Sequence, residues 1–354
     1  MVTRRRAQIV GLGLIGGSIG MALRQQGWTV TGSDVEKGHA ERALDVGAID
    51  VQGVDPEAEI SFVATPVQSV PAIAHRLLQD TAGLVTDVGS VKASVVAAVS
   101  HPRFVGGHPM AGSEREGIDG SDPELFRGAV WVLTPTAQTD GRVFAELRTI
   151  VAGLGAEVVS MPPAAHDRMV AVVSHVPHLT AASLMTVADK RSEDHRALLR
   201  LAAGGFRDMT RIASSPPGIW PDICEENRSA ILEALDSLVE TLADVRNIVA
   251  TNDRERLTKI LQRARDARTN LPVRFGRPAQ LLELLVPVAD RPGAIAEVAN
   301  TASELDINIL DLEIMHSAEG SSGVMHLLVE EQQAQAFRVG LHARGFSASV
   351  RRLE

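Results

Sequence analysis

The feature that most constrains the fold is a glycine-rich turn close to the start of the chain. The segment AQIVGLGLIGGSIGMAL has a short apolar strand pattern, then a Gly-x-Gly-x-x-Gly turn, and then a helical run. Glycines in this setting let the backbone approach a pyrophosphate, which then meets the free amides of the helix. We therefore expect a dinucleotide-binding turn whose contacts come from Gly11, Gly13, Leu14, Ile15 and Gly16.

A carboxylate at the end of the next predicted strand indicates which dinucleotide binds. The strand WTVTGSD ends at Asp34, 18 residues after Gly16. A carboxylate at this place accepts hydrogen bonds from the adenosine ribose hydroxyls and repels a 2′-phosphate. The predicted cofactor is therefore NAD rather than NADP. The alternative is an ordinary glycine-rich turn with a surface aspartate beside it.

Further strand–helix units follow the turn and define the first domain. EISFVATP precedes VQSVPAIAHRLL, GLVTDVGS precedes VKASVVAAV, and FVGGHP comes next. This alternation predicts an α/β Rossmann domain with a parallel, doubly wound sheet over residues 1–160. Loops after the carboxyl ends of such strands line the ligand crevice. The residues expected there are Thr65, Pro66, Ser90, Lys92, His108, Ser113 and Glu114.

A histidine in the stretch FVGGHPMAGSEREG is the candidate for proton transfer. His108 follows the pair Gly106 and Gly107, which we expect to let backbone and cofactor approach closely. An imidazole with an ordinary pKa of about 6.5 suits a general base near neutral pH. The alternative is a structural loop histidine, and the position at the end of a sheet strand favours chemistry.

Residues 161–275 show no strand signals and predict an all-helical domain. His175 and His178 flank Pro177 in SHVPH, but this spacing lacks an HExxH glutamate, and the chain has one cysteine. We therefore expect hydrogen bonds to a substrate there and no metal site. Arg207 and Arg211 lie one helical turn apart, which indicates either a solvated face or, as we expect, a clamp for a substrate carboxylate.

A regular apolar stripe in the same domain predicts helix–helix packing. Its members are Ile231, Leu235, Leu238, Leu242, Val245 and Val249, with a 4-3-4-3-4 spacing. The stripe is either an ordinary core face or a dimer interface. We expect a homodimer.

The last segment, 280–354, follows a proline- and glycine-rich linker and reads as a βαββαβ unit. This order predicts a small α+β domain with an antiparallel sheet and helices on one face. Its DRPG turn, which contains Asp290 and Gly293, opens a helix whose free amides could bind a ligand carboxylate.

Composition limits the partners and the compartment. A formal net charge of −9 argues against nucleic acid. The single cysteine, Cys224, excludes an intramolecular disulfide and fits a reducing compartment. No continuous apolar run reaches the roughly 18 residues of a membrane span. The basic N-terminus leads into the glycine turn rather than a cleavage site, so we expect a cytoplasmic protein without membrane contact.

Six motifs taken in order resemble the prephenate/arogenate dehydrogenase family. They are GLGLIGGSIG, DVGSVK, GHPMAGSEREG, SHVPHLTA, GGFRDMTRIA and IWPDICEEN, and the resemblance covers residues of about 5 to 270. It implies a Rossmann domain joined to a helical dimerisation domain. It also implies the NAD-dependent oxidative decarboxylation of prephenate to 4-hydroxyphenylpyruvate in tyrosine biosynthesis, without a metal.

The resemblance also implies roles for single residues. His108 resembles the catalytic histidine that hydrogen-bonds the substrate's ring hydroxyl, and Ser90 resembles the serine that orients this histidine and touches the nicotinamide. Arg211 resembles the arginine that binds a substrate carboxylate. The residues that resemble the pocket lining are His178, Glu114 and, from the partner chain, Trp220, with Ser113 expected beside them.

The C-terminal unit resembles an ACT domain, the amino-acid-sensing module of biosynthetic enzymes, through VADRPGAIAEVA and DINILDLEI. Asn308 resembles the strand asparagine that contacts the regulatory ligand. The resemblance implies feedback regulation by tyrosine, and the alternative is a purely structural ACT unit.

Three other functions compete with this interpretation. Arogenate dehydrogenase differs only in the amine on the substrate side chain. A β-hydroxyacid dehydrogenase needs a catalytic lysine in its helical domain, and no comparable lysine stands beside a substrate motif here. A non-catalytic amino-acid sensor would be expected to have lost Ser90, His108 or Arg211, which are all present.

Overall fold

A computed structural model describes residues 4–113, 115–194, 198–270, 281–289, 291–316 and 322–352. These residues form two compact units. The first unit comprises Met1–Met185 with Ile212–Leu238, and the second comprises Thr186–Arg211 with Val239–Glu354.

An eight-stranded sheet lies at the centre of the first unit. Its strands are β1 (Arg6–Val10), β2 (Thr29–Ser33), β3 (Val51–Gln52), β4 (Ile60–Val63), β5 (Leu84–Asp87), β6 (Phe104–Pro109), β7 (Val130–Thr134) and β8 (Glu157–Ser160). The strand order is β3-β2-β1-β4-β5-β6-β7-β8. The order reverses between β1 and β4, which is the point where open α/β sheets bind dinucleotides. This confirms the predicted Rossmann-like unit.

The prediction of an entirely parallel sheet is wrong at one edge. β6 pairs antiparallel with β7, so that His108 lies opposite Val132, and β7 then pairs parallel with β8. The described residues of the connection from β6 to β7 contain no crossover helix that would bring the chain back in the same direction. His108 is consequently part of a strand that is paired on both sides, rather than part of a loop.

Helices cover both faces of the sheet and continue into the second unit. They are α1 (Leu14–Gln25), α2 (His39–Asp45), α3 (Val70–Asp80), α4 (Ala93–Ala98), α5 (Gly141–Gly153), α6 (Pro163–Val170), α7 (Val176–Asp194), α8 (Gly204–Thr210), α9 (Trp220–Glu226), α10 (Arg228–Ala250) and α11 (Arg254–Thr269). One apolar cluster centres on Phe62 and Trp131. A second cluster joins Phe104 to Ala171 and Ile223, so helical residues beyond 160 pack directly on the sheet unit.

A π-helical turn, Ala171–His175, joins α6 to α7. The Val176 N–H bonds to the carbonyl of Ala171, five residues earlier. Pro177 follows and has no N–H to donate, so a widened turn is accommodated here more easily than in a regular helix. The turn determines where His175 faces, and His175 is buried.

The stretch Pro163–Ser192, which contains this turn, is long and apolar enough to cross a membrane by length and composition alone. It nevertheless carries His166, Asp167 and His175, all of which are buried and hydrogen-bonded to protein groups. Buried polar groups with protein partners are typical of a helix that packs on a protein core.

The second unit ends in a small α+β domain with the predicted βαββαβ order. Its elements are β9 (Leu281–Ala289), α12 (Ala294–Glu304), β10 (Asp311–His316), β11 (Ser322–Glu330), α13 (Glu331–Ala343) and β12 (Ser349–Arg352). The strands form an antiparallel sheet in the order β10-β11-β9-β12. Apolar residues of the strands and of both helices form its core, with Leu284, Met325 and Phe337 completely buried.

The apolar stripe of α10 is only partly a core face. Ile231 is 4% exposed, whereas Leu242 and Val249 are 56% and 61% exposed. The stripe therefore contributes to the core at its start and presents apolar side chains at its surface further along. The homodimer stays a prediction.

Candidate active site

The glycine turn after β1 has the shape that a dinucleotide requires. Gly11 has a φ of 97°, and a Cβ on Gly11 or Gly16 would collide with a backbone carbonyl. Gly13, by contrast, faces open space and is the N-cap of α1. No side chain caps this helix end and its first turn contains no acidic residue, so the amide groups of Leu14 and Ile15 face a place suited to an anion.

Two neighbouring groups also fit NAD. Asp34 follows β2 and accepts hydrogen bonds from the Leu12 N–H at 2.6 Å and the Glu36 N–H at 2.8 Å, which holds its carboxylate beside the turn. In the described part of the chain, the Thr65 hydroxyl is buried without a hydrogen-bond partner. An unsatisfied buried hydroxyl in such a crevice is suited to a polar group of a ligand. Pro66 follows Thr65 and caps the short turn Val67–Ser69.

A chain of three side chains leads away from β6 into the core. His108 Nδ1 lies 2.8 Å from His166 Nε2, and His166 Nδ1 lies 2.7 Å from Asp167 Oδ1. Asp167 also accepts the backbone N–H groups of Lys92 and Ala93, each at 2.8 Å. The two imidazole rings meet edge to face, with centroids 5.0 Å apart. His108 is 8% exposed and the other two residues are buried, so this polar chain is almost fully withdrawn from water.

The environment of His108 keeps its ring neutral. Burial lowers the pKa of His108 well below the ordinary value, and the neighbouring His166, Lys92 and His175 lower it further. A neutral imidazole has a free lone pair at pH 7, and a general base requires this state.

The glycine pair before His108 is required by packing, and the expected close approach of the cofactor to it stays a prediction. A Cβ on Gly106 would lie 2.5 Å from the Thr134 hydroxyl, and a Cβ on Gly107 would lie 2.7 Å from the Asp87 carbonyl. Both glycines are therefore needed because β6 runs between closely packed neighbours.

Lys92 is an internal group rather than a residue of the open crevice. Its ammonium is completely buried and forms an ion pair with Asp87, whose carboxylate also accepts the N–H groups of Gly89 at 2.9 Å and Gly107 at 3.2 Å. Burial lowers the pKa of Lys92, opposed by Asp87. The pair holds the end of β5 against β6 and places a charged group close to His108.

Ser90 lies in a bend after β5 and is half-buried. Among the described residues, the hydrogen bond that orients His108 comes from His166, whereas Ser90 was expected to provide it. Ser113 is exposed, and its hydroxyl accepts the Arg115 N–H at 3.1 Å. Glu114 lies outside the described residues.

Trp220 contacts histidines of its own chain, and its expected approach to the partner's site stays a prediction. Its ring stacks on His178 with centroids 3.6 Å apart and 14° between the planes, and it meets His175 edge to face at 6.2 Å. Asn227, at the end of α9, donates to the Asp167 carbonyl at 2.8 Å and lies 3.2 Å from His175 Nδ1. These contacts hold α9 against α6 and the π turn, which is why Trp220 lies within the same chain's first unit.

Burial also lowers the pKa values of these two histidines. The pKa of His175 falls to about 4 because desolvation outweighs the attraction of Asp167. The pKa of His178 is lowered by desolvation. Both rings are consequently neutral hydrogen-bonding groups at pH 7.

The arginines of the predicted carboxylate clamp belong to the second unit. Arg207, in α8, donates from Nε to the Ala202 carbonyl at 3.1 Å. Arg211 is exposed and begins the short turn Arg211–Ser214. The meeting of Arg211 with His108 around one substrate stays a prediction.

Of the predicted regulatory residues, the two that the structure describes do not come together within one chain. Asp290 lies outside the described residues. Gly293, with a φ of 91°, caps α12 after the end of β9. Asn308 precedes β10 instead of lying in a strand, beside a surface depression lined by Ser303 and Asp306. Since β9 and β10 both pair antiparallel with β11, they run in the same direction, and Gly293 and Asn308 lie at opposite ends of the sheet.

Sequence reasoning missed His166, Asp167 and Asn227. The adjacent histidine and aspartate in MPPAAHDRM lie near the start of a helix whose first residue is the second of two prolines, and this was the available signal. Nothing local indicates their partner, because His108 is 58 residues away.

Comparisons with known proteins agree with this geometry. Two family models match the chain: "Prephenate dehydrogenase, nucleotide-binding domain" over residues 19–160, and "Prephenate dehydrogenase, dimerization domain" over residues 162–263. A prephenate dehydrogenase of Bacillus subtilis is 36% identical over 337 residues, which cover 90% of each chain.

Two solved structures resemble the chain over most of its length. One is prephenate dehydrogenase from A. aeolicus in complex with hydroxyphenyl propionate and NAD+, with a TM-score of 0.72 and 31% identity; the match covers 77% of this chain and 99% of the other. The second is arogenate dehydrogenase from Synechocystis, with a TM-score of 0.66 and 32% identity, covering 74% of this chain and 98% of the other.

Proposed function

This chain belongs to the prephenate dehydrogenase family, and from that premise we propose that it catalyses the NAD-dependent oxidative decarboxylation of prephenate to 4-hydroxyphenylpyruvate. The observation that carries the proposal is His108: a buried, neutral imidazole at the carboxyl end of a strand in a dinucleotide-binding sheet. This is the group that removal of a hydroxyl proton requires.

In the proposed reaction, His108 accepts the proton of the substrate's ring hydroxyl on Nε2, because Nδ1 already bonds to His166. NAD, when bound, supplies the acceptor for the hydride that leaves the carbinol carbon. The carbon–carbon bond to the ring carboxylate breaks, its electron pair enters the ring, and carbon dioxide departs. The ring oxygen receives the displaced electrons and takes a proton back from His108, which gives the phenol and restores the neutral imidazole. Aromatisation drives this last change, so the protein needs only to hold the substrate and to take up and return one proton.

The contacts proposed for the substrate divide between its two ends. Ser90, in the bend after β5, is proposed to bond to the ring hydroxyl and to the nicotinamide. Arg211 is proposed to bind a substrate carboxylate, because a guanidinium can donate two parallel hydrogen bonds to it. His178, which Trp220 holds by stacking, offers a neutral donor. Ser113 and Glu114 complete the proposed pocket.

The contacts proposed for the cofactor follow the glycine turn. The amides of Leu14, Ile15 and Gly16 bind the pyrophosphate, and Gly11 and Gly13 give it room. Asp34 binds the adenosine ribose and disfavours NADP. Thr65, Pro66 and Ser90 form the wall towards the nicotinamide, with the unpaired Thr65 hydroxyl as a hydrogen-bonding group.

The assembly and the compartment are part of the proposal. Residues 162–263 match a domain described as a dimerization domain, and α10 presents the exposed apolar residues Leu232, Val239, Leu242 and Val249. Burial of this surface against a second copy would remove it from water. We expect a cytoplasmic homodimer, which light scattering at micromolar concentration tests by giving twice the chain mass.

We propose three domains with the boundaries 1–160, 161–275 and 280–354. Regulation by tyrosine is proposed to act through the third domain. The free backbone amides at the start of α12, which Gly293 caps, are suited to binding an amino-acid carboxylate. Because Gly293 and Asn308 lie at opposite ends of the sheet, a ligand that contacts both requires two copies of the domain.

The decisive assay measures steady-state kinetics with prephenate and with arogenate, each with NAD and with NADP. We expect kcat/KM to be highest for prephenate with NAD, with equal amounts of reduced cofactor and carbon dioxide formed. Arogenate is the second candidate, because a structure of arogenate dehydrogenase is as similar in sequence as that of prephenate dehydrogenase. Absence of turnover with both substrates would overturn the proposal.

A further inference from the structure

We propose that His166 and Asp167 are positioning residues that hold His108 in the tautomer with its hydrogen on Nδ1, so that Nε2 carries the lone pair which accepts the substrate's proton. This inference rests on the proposed function, since it concerns the same site. It assigns a role in the reaction to two residues that do not reach the substrate.

The assignment starts at Asp167, where the hydrogen positions are unambiguous. Oδ1 accepts the Lys92 N–H and Oδ2 accepts the Ala93 N–H, so both oxygens act as acceptors. His166 Nδ1, at 2.7 Å from Oδ1, must therefore be the donor of that bond. In the proposal this is the single hydrogen of the His166 ring, so its Nε2 holds a lone pair.

The same reasoning determines the tautomer of His108. A bare Nε2 on His166 can only accept, so the 2.8 Å contact requires a hydrogen on His108 Nδ1. His108 is neutral because its pKa is far below 7, and its second nitrogen is therefore unprotonated. The N–H groups of Lys92 and Ala93 thus determine, through Asp167 and His166, which nitrogen of His108 is basic.

The hydrogen-bonded series from His108 to Asp167 is rigid enough to maintain this tautomer. Asn227 donates to the Asp167 carbonyl at 2.8 Å, and His166 is 1% exposed, so water cannot replace the ring-to-ring bond easily. In a buried network, the alternative tautomer would place two N–H groups or two lone pairs against each other, which is unfavourable because neither group can turn to water.

The neighbouring charges explain why His166 and Asp167 also assist when His108 takes up the proton. The titratable groups around His108 are Asp87 and Lys92 at β5 and the segment after it, His166 and Asp167 on α6, and His175 in the π turn. The charge of Lys92 is paired with Asp87. Asp167 is thus placed to stabilise, through His166, the positive charge that arises on His108 after it accepts the proton. A carboxylate behind a histidine has this effect in the Ser–His–Asp triad.

The test compares two substitutions of His166, each of which keeps a hydrogen-bonding group at the position of one of the two ring nitrogens. His166→Gln places an amide oxygen near the Nε2 position and can still accept from His108, whereas His166→Asn reaches only the Nδ1 position and keeps the bond to Asp167. His326→Asn is the matched control, because His326 forms a 2.7 Å pair with Glu283 in the second unit. The full-length proteins are assayed with prephenate and NAD over pH 5.5–9, without tyrosine.

We expect His166→Asn to lower kcat about 100-fold with KM within about threefold, and to change the acidic limb of the kcat profile. The kcat of His166→Gln should be at least about tenfold higher than that of His166→Asn, and His326→Asn should retain the wild-type kcat within about twofold. Equal kcat and unchanged pH profiles in the two His166 variants would overturn the positioning role, whether both are active or both are impaired. A wild-type enzyme without prephenate turnover would instead refute the proposed function.

Discussion

Each unit of the molecule contains a histidine–carboxylate pair of the same length in a different setting. His166–Asp167 and His326–Glu283 both have an N–O distance of 2.7 Å. The side chains of the first pair are 1% and 7% exposed, and a third side chain, that of His108, extends this hydrogen-bonded series. Those of the second pair are 21% and 13% exposed, and Glu283 also binds Arg351 at 2.6 Å.

The difference shows that a short distance does not make a histidine–carboxylate pair functional. Glu283 pairs with His326 through Oε1 and with the cation Arg351 through Oε2, and water reaches the pair, so its geometry has little consequence beyond β9 and β11. Within the described part of the chain, Asp167 has backbone and imidazole donors only, in a dry environment where an unmatched hydrogen is costly. Burial and connection to a reacting group therefore separate the two pairs.

The largest expected effect concerns the ring at the end of the buried chain. His108→Asn should lower kcat roughly 100- to 10,000-fold, because a positioned general base contributes about that factor. KM should change by less than about threefold, since the substrate is held elsewhere. Steady-state assays with prephenate measure this, and near-normal turnover would remove His108 from the mechanism.

A smaller effect is expected when the two carboxylates are neutralised in parallel. Asp167→Asn removes the charge and places an amide N–H against a backbone N–H, so we expect a loss of about 1–3 kcal/mol in the free energy of unfolding and at least tenfold in kcat. Glu283→Gln should cost less than about 1 kcal/mol and leave kcat unchanged, because the pair is partly exposed. Chemical denaturation and kinetics on both variants check this. Equal losses in the two variants would show that burial does not distinguish the pairs.

The buried histidines also predict an acid-dependent loss of stability. The folded pKa values of His108 and His175 lie below the value of about 6.5 in the unfolded chain, so the unfolded chain binds more protons below that pH. The free energy of unfolding should therefore decrease as the pH falls from about 6.5 towards 4. Thermal unfolding at pH 7.5, 6 and 5 measures the trend. In His108→Asn the midpoint should fall less steeply with acid, and an identical slope would contradict the assignment.

The smallest effect is expected in the C-terminal unit, far along the chain from the catalytic residues. Asn308→Ala should leave kcat within about twofold, because Asn308 lies in an exposed depression of the small domain. Inhibition by tyrosine should become several-fold weaker if the unit senses that ligand. Tyrosine titrations at fixed prephenate measure this, and unchanged inhibition in the variant would indicate that tyrosine binds at the active site instead.

The parts that the sequence predicted are those with local causes. The glycine turn and Asp34 follow from steric and phosphate-binding requirements within one βαβ unit, and the βαββαβ order follows from alternation and turn residues. The antiparallel edge at β7 depends on a pairing between distant segments, which no local pattern specifies.

The polar chain behind His108 was not predictable for the same reason. His166 and Asp167 read as ordinary helix residues, and only the packing of α6 on the sheet brings them to β6. The packing role of Gly106 and Gly107 was not predicted either, because the close neighbours Thr134 and Asp87 belong to other strands. Sequence located the ring proposed as the base, and tertiary packing determines that its Nδ1 faces His166.

The most direct test of this account is a nitrogen-15 NMR measurement of histidine-labelled full-length enzyme at pH 7.5, with His108 assigned from the signal that His108→Asn removes. The account predicts a neutral ring with its hydrogen on Nδ1 and an unprotonated Nε2. A ring protonated on Nε2, as the other neutral tautomer or as the imidazolium, would contradict it.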